Sequence, residues 1–330
     1  MSEMNILKLP LEVLVHIALQ LDIPDVLRFC KSSVYIDRIV CDQYFWKLLL
    51  AKDNIESELI YKNGKFNWLL YFLLKYPDKK WRWSGLSANP NITWEIIQNN
   101  PDKPWDWEGL SENPNITWEI IRDNWNKSWN RYGLARNPNI TWEIIQTIPD
   151  NKWNWYYLSQ NPNITWEIVQ ANLGKPWNWS GLSQNPNITP EIIRNNQDKP
   201  WRWYWLSYNP NITWEFIYEN IDKNWDWYRL SYNSAITWKI IYENIDKNWD
   251  WFGLSRNPNT TWEIVKQNPD NPWSWDGLSR NENITWEIVS NNLDKSWKWN
   301  WLSQNPNITW EIIYENMDKD WDWNELSYKN

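Results

Sequence analysis

Leu182-Ser183-Gln184-Asn185-Pro186-Asn187-Ile188-Thr189-Pro190-Glu191-Ile192-Ile193 is the stretch on which the reading of the fold turns. Its counterparts along the chain have the form Asn91-Ile92-Thr93-Trp94-Glu95-Ile96-Ile97. There Ile92, Trp94 and Ile96 alternate with polar residues and β-branched side chains abound, so a strand is one reading, and a leucine-rich horseshoe tolerates a similar period. Pro190 decides against both. It would remove a ladder donor from a central strand. At the first position of a helix its missing N–H costs nothing, with Thr189 as N-cap and Glu191 facing the positive end of the dipole. Thr93 and its equivalents are therefore expected to cap short helices running roughly from Trp94 to Asn100. Asn89-Pro90-Asn91 is the turn that enters the helix.

Working outward, the first Trp of a W-x-W pair recurs every 24 residues from Trp81 to Trp321 without insertion or deletion. Ten full units cover 81–320 and a ten-residue stub follows. Three columns hold 30 of the 35 Trp, and the only breaks in them are Arg131 and Pro190. Strict spacing means that each unit meets its neighbours in one way, which is the mark of a solenoid. The other half-unit, Asp102 to Ser111, is expected to form a second, shorter helical turn with Trp107 and Leu110 on one face. Asp102 is its expected cap, Pro104 sits where a first turn accepts Pro, and part of each unit is expected to be 3₁₀. The Trp columns are expected to form a buried core ladder rather than stacking platforms for glycans or bases.

Leu182 to Ile193 resembles the leucine-rich repeat variant family, whose units carry a similar A-x-N-P-x-T-P-x-x-L signature at the same period. The resemblance implies α and 3₁₀ helices alternating in a right-handed superhelix over about three quarters of the chain. Trp stands in place of most of the aliphatic core and, in nine of ten units, of the usual Pro. The N-P-N-I-T-W-E wording is also similar to tandem-repeat proteins encoded by giant viruses of amoebae.

The first fifty residues have no W-x-W and contain both cysteines and the single His. Leu9 to Leu21 reads as an amphipathic helix opened by Pro10, with Leu14, Ile17, Ala18 and Leu21 at three- and four-residue spacing. A second helix is expected from Val26 to Cys30 and a third from Cys41 to Leu50. Three short helices make a marginal core, so a partner or neighbour is expected. Leu9, Pro10, Glu12, Leu14, Ile17, Leu21, Asp25, Leu27, Cys30, Trp46 and Leu49 match an F-box along its length, and the segment resembles that family. Val34 to Asp37 stands where the family usually carries Arg and Trp. The resemblance implies docking onto a Skp-type adaptor of a cullin–RING ubiquitin ligase, with Leu9, Pro10, Leu14, Ile17, Leu21, Leu27 and Trp46 as adaptor-binding residues. Residues 51–80 read as a linker and a degenerate capping half-repeat, and the stub 321–330 as the opposite cap.

Composition excludes more than it names. One His and two Cys leave little for His-centred catalysis or a zinc cluster, and His16 has no Cys at ligand spacing. Column residues such as Glu95 and Glu119 are equivalent in every unit, whereas an active site breaks symmetry, so they read as helix-capping groups. No catalytic residue, metal or cofactor is expected. Cys30 and Cys41 do not suggest a disulfide framework, which points to a reducing, cytoplasmic or nuclear compartment. The opening residues show no signal peptide, so the recurrent Asn-Ile-Thr sequons read as turn chemistry. The greasy run at Trp68 to Leu74 is too short to span a bilayer. Residues 1–80 carry a net +1 and residues 81–330 a net −9, within a total of −8. An acidic array is a poor match for a phosphate backbone, so neither a nucleic acid nor a membrane is an expected partner.

Specificity is expected where units differ. The variable column after the first Trp and the one before Asn-Pro give Arg82, Arg202, Tyr208, Tyr232, Arg256 and Arg280 as target-binding candidates. Trp205 and Trp301, outside the Trp columns, join them. The expectation is an all-α, non-enzymatic adaptor, with an F-box-like segment docking on a ligase and a solenoid recruiting a target protein. The alternative is a structural or decoy scaffold whose first fifty residues only cap the solenoid.

Overall fold

The computed structural model of the 330-residue chain describes residues 10–32, 36, 40–55, 57–62 and 65–329. Leu9, Val34, Tyr35 and Asp37 lie outside the described residues. Two compact units form, Met1–Trp81 with Ile313–Glu315, and Arg82–Ile312 with Asn316–Asn330.

The first unit opens with α1 (Leu11–Ala18), α2 (Ile23–Lys31) and α3 (Gln43–Ala51). Local chemistry starts the latter two: Asp22 accepts from Asp25 N (3.0 Å), Asp42 from Phe45 N (2.8 Å), and Pro24 occupies the first turn of α2. A hairpin the sequence reading did not anticipate follows, β1 (Tyr61–Lys62) against β2 (Lys65–Phe66), and then α4 (Trp68–Lys75). Trp46 stacks on Tyr61 with ring centroids 4.4 Å apart, which holds the hairpin to α3. Leu14, Ala18, Val26, Phe45 and the stretch Leu69 to Phe72 are fully buried. Beside them Tyr71 donates to Asp53 (2.6 Å), and Lys75 reaches both Asp53 (3.0 Å) and the Tyr71 oxygen (2.7 Å). Burial, followed by the bond to Asp53, pushes the Tyr71 hydroxyl well above its ordinary range.

The cysteines require a correction. Cys30 and Cys41 form a disulfide, with Cα atoms 5.8 Å apart across a separation of 11 residues. Both are buried, as a core reading of Cys30 requires, but they are bonded thiols. The sequence disguised this because the end of α2 and the start of α3 have to turn back on each other before the two sulfurs can meet.

In the second unit each repeat supplies two short helices. The second helix is as expected: Trp94–Asn99 with Thr93 accepting from Ile96 N, and Pro190–Asn195 with Pro190 in the first turn and Thr189 as cap. The first helix starts later than expected, at the second Trp of the pair. In Trp107–Glu112 the cap is Asp106, which accepts from Gly109 N, and Asp102 and Pro104 lie ahead of it. Only Asp150–Lys152 is 3₁₀ among the described residues. Most first helices pack on the first helix of the next repeat, as Trp83–Ala88 does on Trp107–Glu112 and Trp251–Arg256 on Trp275–Arg280.

The core of the array is aliphatic and polar before it is aromatic. Leu86, Ile92, Leu110, Ile116 and Ile121 are fully buried, as are Ser87, Ser111 and Asn113. First-column Trp such as Trp177 and Trp225 are buried, but the second-column rings are half-buried and pack edge-on against the next repeat. Trp107 meets Trp129 at 5.0 Å and 89°, and Trp155 meets Trp177 at 5.0 Å and 87°. The indoles thus form a cladding over a Leu/Ile core.

The polar core is a ladder. Asn113 Nδ2 donates to the carbonyls of Ser87 (2.8 Å), Asn89 (3.0 Å) and Ile92 (3.0 Å) of the preceding repeat. Its Oδ1 accepts from Asn115 N (2.8 Å) and shapes its own turn. Ser87 Oγ accepts the backbone N–H of Asp106 in the next repeat (2.8 Å). Asn115 Nδ2 donates to Pro90 O (2.6 Å), which accounts for the second Asn of Asn-Pro-Asn. These bonds satisfy carbonyls at helix C-termini that would otherwise be orphaned in the core. They fix the period, because an insertion would break the rungs that span it.

The ladder does not stop at the stub. Asn89, in the first repeat, donates to the carbonyls of Ser327 (3.1 Å) and Lys329 (2.9 Å), and Arg82 N donates to Ser327 Oγ (2.9 Å). Lys329 occupies the Asn column and donates through Nζ to Ser303 O (3.4 Å) and Asn305 O (2.8 Å), two of the carbonyls an Asn would take. The first repeat therefore uses the stub as its preceding neighbour, and the array closes on itself where the sequence reading expected two capped ends.

Candidate interaction face of the repeat array

The two variable columns have different roles. The residue after the first Trp is the N-cap of the first helix. Asp106, Asn130, Asn154, Asn178, Asp226, Asp250 and Ser274 each accept a backbone N–H there. Variation among Asp, Asn and Ser in that column is capping chemistry. Arg82, Arg202 and Lys298 form no side-chain cap, and all three are exposed. The sequence reading did not recognise this column as caps, because it began the helix too early.

The column before Asn-Pro and the column holding Trp205 and Trp301 do share a face, and neighbouring repeats build contacts across it. Arg280 lies over the Trp301 ring (4.5 Å), whose Nε1 donates to Asp276 (3.0 Å). Arg229 lies over Tyr208 (4.6 Å), and Trp205 packs on Tyr208 with centroids 5.3 Å apart. Arg136 lies over Tyr157 (4.0 Å) and pairs with Glu112 (2.8 Å). Arg82 lies 5.6 Å over Tyr328 where the array closes. The Tyr232 hydroxyl lies within hydrogen-bonding distance of the Tyr228 hydroxyl (3.1 Å) and the Asp250 carboxylate (3.3 Å), and burial, then the bond to Tyr228, raises it above the ordinary range.

Tyr232, Arg256 and Arg280, drawn from three repeats, line one groove of ≈ 410 Å³ together with Gln304 and Glu282. Arg280 Nε is buried and has no hydrogen-bond partner. Burial, and then the neighbouring Arg256, lower the affinity of its guanidinium for the proton, against the opposing pull of Glu325. Arg202 joins neither cluster. Sequence reasoning missed the exposed tyrosines 132, 204, 228 and 328. For Tyr132, Tyr204 and Tyr228 the signal was present as a third variable column just after the second Trp position, and Tyr328 continues the column before Asn-Pro into the stub.

In the first unit Leu14, Leu27 and Trp46 are core residues, Ile17 and Leu21 are half-buried and Pro10 is exposed. The exposed apolar side chains of its helices are Leu11 and Val13 on α1 and Tyr44 and Leu48 on α3, at 39, 41, 68 and 38% exposure. Among the described residues no group of three or more His, Cys, Asp or Glu is placed to hold a metal ion, and no helix is long and apolar enough to cross a membrane. No protein-family model, curated protein or solved structure matches the chain.

Proposed function

We propose that the chain is a non-enzymatic adaptor whose repeat array recruits a target protein and whose first unit docks on a Skp-type adaptor of a cullin–RING ligase. The observation that carries the recruiting half is the Arg–aromatic face. Arg, Tyr and Trp dominate binding hot spots, and here they are pre-ordered by stacking across repeats, so little side-chain entropy remains to be lost on binding. The docking half rests on the F-box-like pattern together with the apolar side chains that α1 and α3 leave in water.

Burial decides the test. Leu14 is fully enclosed, so a charge there would unfold the unit and report nothing about docking. The informative variant is Leu11→Asp with Val13→Asp, at exposed positions. Purified full chain is expected to bind a purified Skp-type adaptor, and the double variant to lose at least tenfold in affinity with an unchanged melting temperature. Absence of binding by the wild-type chain would remove the ligase and leave the array as a protein-binding scaffold.

A further inference from the structure

At one place the Trp cladding is interrupted. From Trp83 against Trp105 to Trp299 against Trp321, the second Trp of a pair covers the first Trp of the next repeat edge-on, at 5.0–5.4 Å. Arg131 occupies that column in front of Trp153. The indole N–H of Trp153 is also redirected, to Ile145 O (3.3 Å), where its column-mates bond the carbonyl five residues back, as Trp129 does to Asn124 O (2.9 Å). The gap left by the missing ring is a cleft of ≈ 450 Å³ walled by Trp125, Trp129 and Trp153. Trp125 lies outside the Trp columns, is 56% exposed, and is steadied edge-on by Trp118 (6.1 Å, 73°).

The charges of the cleft are as unusual as its rings. Lys127, Arg131 and Lys152 line it, and no Asp or Glu does. Lysines of other repeats, such as Lys199, Lys223 and Lys319, each hold the Asp just before them. Lys127 follows Asn126, which stands where those repeats have Asp. Asp150, the nearest column Asp, is drawn away to Lys175 (2.8 Å). Among the described residues, none of the three cations forms an ion pair. In an array with a net charge of −9 this is a local island of positive charge.

We infer that this cleft binds a nucleoside phosphate, its base stacked on the exposed indole and its phosphate held by the three cations. Indole faces accept any planar base, three unpaired cations suit a phosphate better than a single carboxylate, and the volume is that of a small-molecule pocket. The surrounding acidic field favours a short ligand over a polynucleotide. The inference is independent of the adaptor reading.

Titration calorimetry on the full chain tests it with AMP, adenosine, inorganic phosphate and a single-stranded oligonucleotide. AMP is expected to bind at least tenfold more tightly than adenosine or phosphate alone, and less tightly as salt is raised. Arg131→Trp restores the missing ring and fills the cleft; it is expected to abolish AMP binding while leaving the melting temperature unchanged or raised. Should that variant fail to fold, Trp125→Ala, at an exposed position, is expected to weaken AMP at least tenfold. No heat with millimolar AMP, unaltered affinity in either folded variant, or an oligonucleotide preferred over AMP would each overturn the proposal.

Discussion

Lys329 shows what a column demands of the residue placed in it. The position requires donors for two buried carbonyls, and Lys supplies them with an ammonium where all ten repeats carry the amide of Asn. Burial pushes its pKa down from 10.5 to about 8. Donation to Asn305 O at 2.8 Å favours the charged form and offsets part of that cost. The sign follows from proton counting. Between about pH 8 and pH 10.5 the unfolded chain holds a proton that the folded chain has released, so wild-type stability rises with pH across that window. Lys329→Asn is expected to stabilise the array by about 1–2 kcal/mol at pH 7, by removing a desolvated charge while keeping the donors. The gain should shrink by pH 10, as urea midpoints at the two pH values would show. A larger advantage for the variant at pH 10 than at pH 7 would contradict this account. Asn233 is the converse case: its side-chain amide makes none of the rung bonds, although its Oδ1 still accepts from Ala235 N (2.8 Å). It is also the column member followed by Ser-Ala in place of Pro-Asn.

At the scale of the helix, a glycine sets the spacing. A Cβ on Gly181 would lie 2.4 Å from Tyr156 O, and one on Gly109 would lie 2.5 Å from Ser84 O, so each backbone approaches the preceding helix as closely as glycine permits. Where the column instead holds Trp205, Arg229, Trp301 or Glu325, the first helix has four residues rather than six, as in Trp203–Leu206 beside Trp179–Gln184, whereas Tyr157 is accommodated in the six-residue helix Trp155–Gln160. Gly181→Ala should therefore destabilise the array by about 1–3 kcal/mol, because the obstructing atom is backbone and cannot turn aside; differential scanning calorimetry would measure it. The second helices were legible in the sequence because Thr, Pro and Glu at a helix start have separate local causes, and one Pro190 exposed them all. The start of the first helix was not legible, since Asp102 and Asp106 are both competent caps and only packing chooses between them. The face carrying Tyr208, Tyr232, Arg256 and Arg280 could be read from variability. The pairing of Arg with a ring of the adjacent repeat could not, because it depends on contacts 21 residues apart. The disulfide and the closure were hidden for the same reason: both join parts of the chain through space, and periodicity records only what lies alongside.

For the repeat unit as a whole, closure replaces caps. A linear solenoid needs terminal repeats with polar outer faces and can unfold from its ends. Here Asn89 and Lys329 bond the stub and its neighbours as interior residues would, so the first repeat and the stub are tied to each other as adjacent repeats are. Deleting residues 321–330 is expected to strip Asn89 of both acceptors and leave Arg82 N unpaired, and the melting transition should fall by well over the effect of any single rung, which is about 1 kcal/mol. Circular dichroism melts of the truncated and full chains would measure it; equal transitions would show that the closure carries no stability.

A chain of identical links can be lengthened or shortened without limit only while its ends are free. Once Ser327 and Lys329 have met Asn89, the curvature per unit and the number of units are no longer independent. Gain or loss of 24 residues would leave a seam that neither gapes nor overlaps only if every junction bent to share the error. The stub is thus the piece that fixes how many repeats this protein can have.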